Sequence, residues 1–170
     1  MSRIEAAETR TLLPLRARVV PIATTMAASA LAVLPFVSDT PLLPPFGLLM
    51  LLAWRLLRPE MWQAWIGLPL GLFDDLMSGQ PLGSAMAVWT MALLALDLSD
   101  NRAVWHDYWH DLLVAALILT FCIAAGWLAA AIVAPVAGLQ TMVPQLLLSI
   151  LLMPMAMRIA ARLDRFRLAR

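Results

Sequence analysis

Charge is scarce in this chain. Charged residues are 14% of 170, and lysine is absent, so all twelve basic residues are arginine. A soluble domain of this length is excluded, because 62% hydrophobic residues and a mean hydropathy of +0.83 exceed what its own core could hide, whereas a bilayer accommodates them. The formal charge of +1, with no dense basic cluster, excludes nucleic-acid binding through phosphate neutralisation. The one cysteine, Cys122, lies in an apolar run; it excludes an intramolecular disulfide and reads as a small core residue. A cleavable signal peptide is also missing. Residues 1–18 hold Glu5, Glu8 and four arginines without a compact apolar core or a small-residue cleavage site, so they read as an attached N-terminal segment.

What is present is apolar sequence in six runs, at residues 19–37, 42–57, 61–77, 82–98, 111–134 and 142–161. Each is near the roughly 20 residues that a tilted helix needs to cross about 30 Å of hydrocarbon. The expected fold is therefore all-α: a polytopic membrane bundle of six transmembrane helices over residues 19–161, with a basic tail at 162–170. Pro41, Pro44 and Pro45 open the second run, where proline is tolerated because first-turn amides have no helical partner. Pro69 predicts a kink in the third.

Arginine sets the orientation. Arg3, Arg10, Arg16 and Arg18 precede the first run, Arg55 and Arg58 join the second to the third, and Arg102 joins the fourth to the fifth. Arg158, Arg162, Arg165, Arg167 and Arg170 follow or close the sixth. Six spans put every arginine on one side, which the positive-inside rule makes the cytoplasm, with both termini there. The outer loops, 38–40, 78–81 and 135–141, are too short for an extracytoplasmic domain. The arginines of the tail read as a lipid-anchoring helix end.

The third run carries the most information. At 100° per residue, Gly67, Gly71, Asp74, Asp75, Ser78 and Gly79 share one face about 140° wide, while Pro69, Leu70, Leu72, Phe73, Leu76 and Met77 cover the rest. Small residues admit a neighbouring helix closely, so this face is expected to pack inward and the Leu/Phe/Met face to meet lipid. A carboxylate in hydrocarbon costs several kcal/mol unless it meets protein or water, so Asp74 and Asp75 mark either a hydrated outer interface or a specific role in assembly. Asp75 is expected to accept charge-assisted hydrogen bonds from amides of the 78–83 turn and the start of the next helix.

His106 and His110 are one helical turn apart and alternate with Trp105, Asp107, Tyr108, Trp109 and Asp111. That spacing suits metal ligation, but an aromatic belt at headgroup level accounts for it more simply, as it does for Trp54, Trp62 and Trp65. No metal or cofactor is expected. Nor is an enzyme: an intramembrane aspartyl protease needs a second aspartate at the same depth, and Asp97 belongs to the other end of its helix.

The pattern Gly71-x-x-x-Asp75-Leu76-x-x-Gly79-x-x-Leu82-Gly83, after Pro45-Phe46 and Arg58-Pro59, resembles the MreD family of rod-shape-determining membrane proteins. The likeness covers roughly residues 44–102 and places Asp75 at the family's aspartate, with Asp74 an additional carboxylate and Phe46 where the family usually has Asp or Asn. Together with the small face and the turn that follows it, the likeness marks Asp75, Asp74, Gly67, Gly71, Gly79, Pro81 and Gly83 as structural or interaction residues. It further implies a helix arrangement similar to that of the substrate-binding subunits of energy-coupling-factor transporters. The implied function is a non-enzymatic inner-membrane scaffold of cell elongation and peptidoglycan synthesis. Its partner would be the transmembrane helix of MreC, with MreB, RodA and a penicillin-binding transpeptidase in the wider complex; a homodimer is also compatible. The alternative is a small-molecule-binding transporter subunit, which requires a central cavity lined by polar groups from several helices. Few such groups are evident outside the third run.

Overall fold

The computed structural model describes residues 15–33, 43–100, 108–133, 138, 140 and 142–168. These form six α-helices: α1 Leu15–Ala30, α2 Phe46–Leu57, α3 Gly67–Ser78, α4 Ser84–Asp100, α5 Tyr108–Val133 and α6 Met142–Leu168. Single 3-10 turns follow α1 (Leu31–Val33) and fill the α2–α3 connection (Pro59–Met61 and Ala64–Ile66). No strand occurs among the described residues.

Proline sets several of these limits. Pro45, which has no amide to leave unpaired, precedes α2, and its carbonyl accepts from Leu49 N–H at 3.0 Å. Pro59 stops continuation of α2 after Arg58 and opens the following 3-10 turn. The chain then stays extended at Trp62 and Gln63, so α3 starts at Gly67, later than the hydropathy run beginning at 61. Pro69 consequently sits in the first turn of α3, where its missing amide needs no partner. The kink expected there is replaced by a helix start.

Helix α2 is the pillar of the bundle, buried on every side from Gly47 to Arg55. It runs antiparallel to α1: Trp54 Nε1 donates to Thr24 Oγ1 at 3.0 Å, while Gly47 at the other end lies against Ser29. Around it α5 and α6 turn apolar stripes outward. Leu113, Leu117, Phe121, Leu128 and Ile132 are exposed on α5, as are Val143, Leu147, Leu151, Met155 and Ile159 on α6. The opposite side of α5, at Ala115, Leu119 and Cys122, is core. Spacings of four along both stripes mark single helix faces as apolar as the interior they back, which suits a hydrocarbon solvent. The segments Trp109–Val133 and Met142–Arg167, of 25 and 26 residues, are long and apolar enough to cross a membrane. Helices α2 and α3, at 12 residues each, rise only about 18 Å.

Arginine gathers at one end. Arg55, its side chain 3% exposed, pairs with Asp97 near the end of α4 at 2.6 Å. Arg58 reaches Asp164 Oδ2 through Nη2 at 2.9 Å and Nε at 3.2 Å, while Arg167 Nε reaches Oδ1 of the same carboxylate at 2.6 Å. The Arg167 guanidinium also lies 5.4 Å above the Trp54 ring and donates to Met61 Sδ at 2.8 Å. The first helix starts at this same end, because Thr24 of α1 meets Trp54 near the close of α2.

Three expectations change. Trp54 and Trp62 are core residues rather than members of an interfacial belt, because α1, α6 and Arg167 close over that end; Trp65 remains exposed. Arg167 is buried in an ion pair instead of facing lipid; α6 itself runs on to Leu168, the basic helix expected to continue the sixth run. Leu70 belongs to the core, because α3 packs on more than one neighbour.

Replacing Asp164 with leucine removes the carboxylate that balances the buried Arg167 and is expected to cost about 3–5 kcal/mol. Thermal unfolding in detergent should show a clear drop in Tm. Asp164→Leu with Arg167→Met should recover much of it, since the uncompensated charge is then gone.

Candidate functional site

The α3–α4 hairpin brings together most of the residues singled out in the sequence. Gly67, Gly71 and Asp75 recur every four residues on the face of α3 that meets α4. A Cβ on Gly71 would lie 2.6 Å from both the Met86 amide nitrogen and its Cα; one on Gly67 would lie 2.9 Å from the same atoms of Thr90. Backbone cannot yield as a flexible side chain does, so only glycine permits this approach.

The closeness delivers Asp75 to the start of α4. Its carboxylate, 1% exposed, accepts from Gly83 N–H at 2.8 Å, Ala85 N–H at 2.8 Å, the Ser84 hydroxyl at 2.9 Å and Met86 N–H at 3.4 Å. The first intrahelical bond of α4 runs from Ala87 N–H to Gly83 C=O, which makes Gly83 the capping residue. Glycine has no side-chain oxygen for the orphan amides of the first turn. Asp75 supplies one from the preceding helix, at the positive end of the α4 dipole. The hydrogen bonds expected of Asp75 are therefore present.

The turn that permits this uses glycine twice at positive φ. Gly79 (φ 68°) ends α3 in the left-handed conformation, and Gly83 (φ 93°) enters α4. Pro81 lies between them and accepts from Ser84 N–H at 3.0 Å. Ser78, on the small face of α3, is exposed and donates to the Asp74 carbonyl at 2.7 Å.

Asp74 points elsewhere. One residue before Asp75, and thus about 100° around the helix, its carboxylate meets α1 and α2: Oδ1 is 2.8 Å from where a Gly47 Cβ would stand, beside the Ser29 side chain. It also lines a cavity of about 290 Å³. The walls come from Pro45 and Leu48 of the α2 start, Ser84 to Trp89 of α4, Cys122 to Ala130 of α5, and Met142 and Gln145 of α6. The starts of α2, α4 and α6 thus share one end of the bundle with the ends of α3 and α5, opposite the arginine cluster. Gln80 and Gln145 add polar walls, and Gln145 Nε2 is anchored on Leu43 C=O at 2.9 Å. Outside the third run the polar side chains of the lining are Gln80 and Gln145, from the α3–α4 turn and from α6, and Ser84. Sequence reasoning singled out neither glutamine, because isolated residues on separate segments have no common spacing.

Asp97 lies at the far end of α4 from Asp75, held by Arg55, so the two carboxylates do not converge. His110 Nδ1 lies 3.8 Å from Asp111 at the start of α5. His106, Trp105 and Asp107 fall outside the described residues. Among the described residues no group of three or more His, Cys, Asp or Glu side chains could hold a metal ion.

Compared with protein families, curated proteins and solved structures, the chain has no match.

Asp75→Leu is expected to orphan buried donors at about 1–3 kcal/mol each, lowering Tm more than Asp75→Asn, which keeps one acceptor oxygen. Gly71→Ala should cost about 1–3 kcal/mol by forcing α3 from α4. By contrast, Gly126→Ala on the cavity side of α5 meets only Gln80 Oε1 at 3.8 Å, and should gain up to about 1 kcal/mol of helix propensity. Melting curves of the four purified variants check the order.

Proposed function

We propose that this chain is a six-span protein of the bacterial cytoplasmic membrane, with both termini inside. In this reading it is a non-enzymatic scaffold of the cell-elongation machinery, acting with the transmembrane helix of MreC. MreB, RodA and a penicillin-binding transpeptidase are its associates in the wider complex. The observation that carries the reading is the Gly67–Gly71–Asp75 clamp on the start of α4, because Gly71, Asp75, Gly79 and Gly83 are the residues of the MreD-like pattern and all serve one hairpin. The gathering of Arg55, Arg58 and Arg167 at one end supports the orientation. The exposed apolar faces of α5 and α6 suit lipid or a partner's apolar helix. The four shorter helices complete their spans together with the 3-10 turns and proline segments that flank them.

The second reading, a small-molecule-binding transporter subunit, is favoured by one observation, the polar-lined cavity beside Asp74. A cavity supports binding; translocation would need an energising partner.

Complementation separates the two. In a strain depleted of its own MreD-like protein, this chain should restore rods and co-purify with MreC in mild detergent, and Asp75→Leu at matched membrane level should do neither. Restoration by Asp75→Leu as complete as by the unaltered chain would overturn the scaffold reading. The topology has its own test: a phosphatase active only outside the cytoplasm should be silent after Arg58 or Arg170 and active near Gly79 or Gly138. Activity at Arg170 would refute six spans.

A further inference from the structure

We propose that the cavity bounded by Asp74, Trp89, Trp127, Gln80 and Gln145 is a binding site for a small organic ammonium group. The proposal goes beyond the scaffold reading and does not depend on it.

Charge is the first argument. Asp74 is the one charged side chain among the described lining residues, and no arginine or histidine faces it there. The neighbouring carboxylate, Asp75, has its bonds committed to Gly83, Ser84 and Ala85. Arg55, Arg58 and Arg167 are engaged at the opposite end of the bundle. A carboxylate set away from protein cations is compensated by a proton or by an external cation, and the second is what the rest of this lining fits.

Shape and lining give the chemical class. At about 290 Å³ the cavity has ample room for ethanolammonium or choline. Trp89 and Trp127 offer aromatic surface on the α4 and α5 sides, the partners that alkylammonium groups favour, and Ile123 and Met142 add apolar wall. Gln80 and Gln145 stand ready for a hydroxyl or ester oxygen on the same ligand. The site is also built with a gap: Gly126 lines it, and a side chain there would meet nothing nearer than Gln80 Oε1 at 3.8 Å. Glycine in the middle of a helix is a cost of about 1 kcal/mol relative to alanine, and at Gly126 no close approach of another helix requires it, in contrast to Gly67 and Gly71.

The ammonium group could arrive on a free solute or on the head of a phospholipid such as phosphatidylethanolamine. The full chain in nanodiscs of pure phosphatidylglycerol, titrated with choline and with ethanolammonium, tests the site by thermal shift. At least one cation should raise Tm saturably below about 10 mM, as mass action requires for a ligand of roughly millimolar Kd. The neutral isostere of choline, 3,3-dimethylbutan-1-ol, should be weaker by about tenfold or more, and Asp74→Asn should weaken the cation by a similar factor. Gly126→Leu fills the cavity and should abolish the shift while keeping its own Tm close to that of the unaltered chain. Adding phosphatidylethanolamine then assigns the source: loss of the free-cation effect identifies the lipid head as resident, and its persistence identifies a free solute. The proposal is overturned if neither cation raises Tm, if the neutral isostere acts as well as choline, or if Asp74→Asn binds unchanged. Should Gly126→Leu fail to fold, Asp74→Asn and the isostere still decide. Rod-shape complementation can fail or succeed independently of this result.

Discussion

The bond between the Asp75 carboxylate and the first amides of α4 is the constraint on which the arrangement of the hairpin depends. A helix start inside a bundle has donors with no internal partner, and water is not there to take them. Here the remedy lies on another helix, so capping and helix packing become one interaction. It works only if α3 and α4 approach to backbone contact, which Gly67 and Gly71 allow, and only in one axial register. Once that register is set, Asp74 is directed about 100° away, toward α1, α2 and the cavity. One local satisfaction of hydrogen bonds therefore fixes the direction of a second carboxylate that takes no part in it.

The two ends of the bundle solve the problem of buried charge differently. At the cavity end the Asp75 carboxylate is held by neutral amides and a hydroxyl, with no counter-ion among the described residues. At the other end carboxylates are held by guanidiniums: Asp97 by Arg55, and Asp164 between Arg58 and Arg167. Among the described residues the first arrangement uses only neutral donors, while the second sets three guanidiniums against two carboxylates.

The legible parts of this molecule are those in which cause and partner lie close in sequence. Asp75 and its donors span eleven residues, so the hairpin bonds could be anticipated, and the glycine face of α3 follows from 100° per residue. The fate of Leu70 was not legible, because a single stripe assigns a helix one packed face, whereas α3 is pressed by several neighbours. Trp54 has the sequence setting of a belt residue; its Thr24 and Arg167 partners come from the first and last helices and leave no local trace. The late start of α3 was hidden because hydropathy measures solvent preference and is indifferent to whether an apolar stretch is coiled or extended. The cavity was least legible of all, being assembled from residues of five helices and a turn.

The pairing of Arg58 with Asp164 also has a bearing on biogenesis. The two are 106 residues apart, an interval of roughly 5 to 20 s at ribosomal rates of about 5–20 residues per second. Throughout it the guanidinium of Arg58 has no Asp164 to meet and keeps its hydration. The same side chain later becomes the latch that receives the final helix.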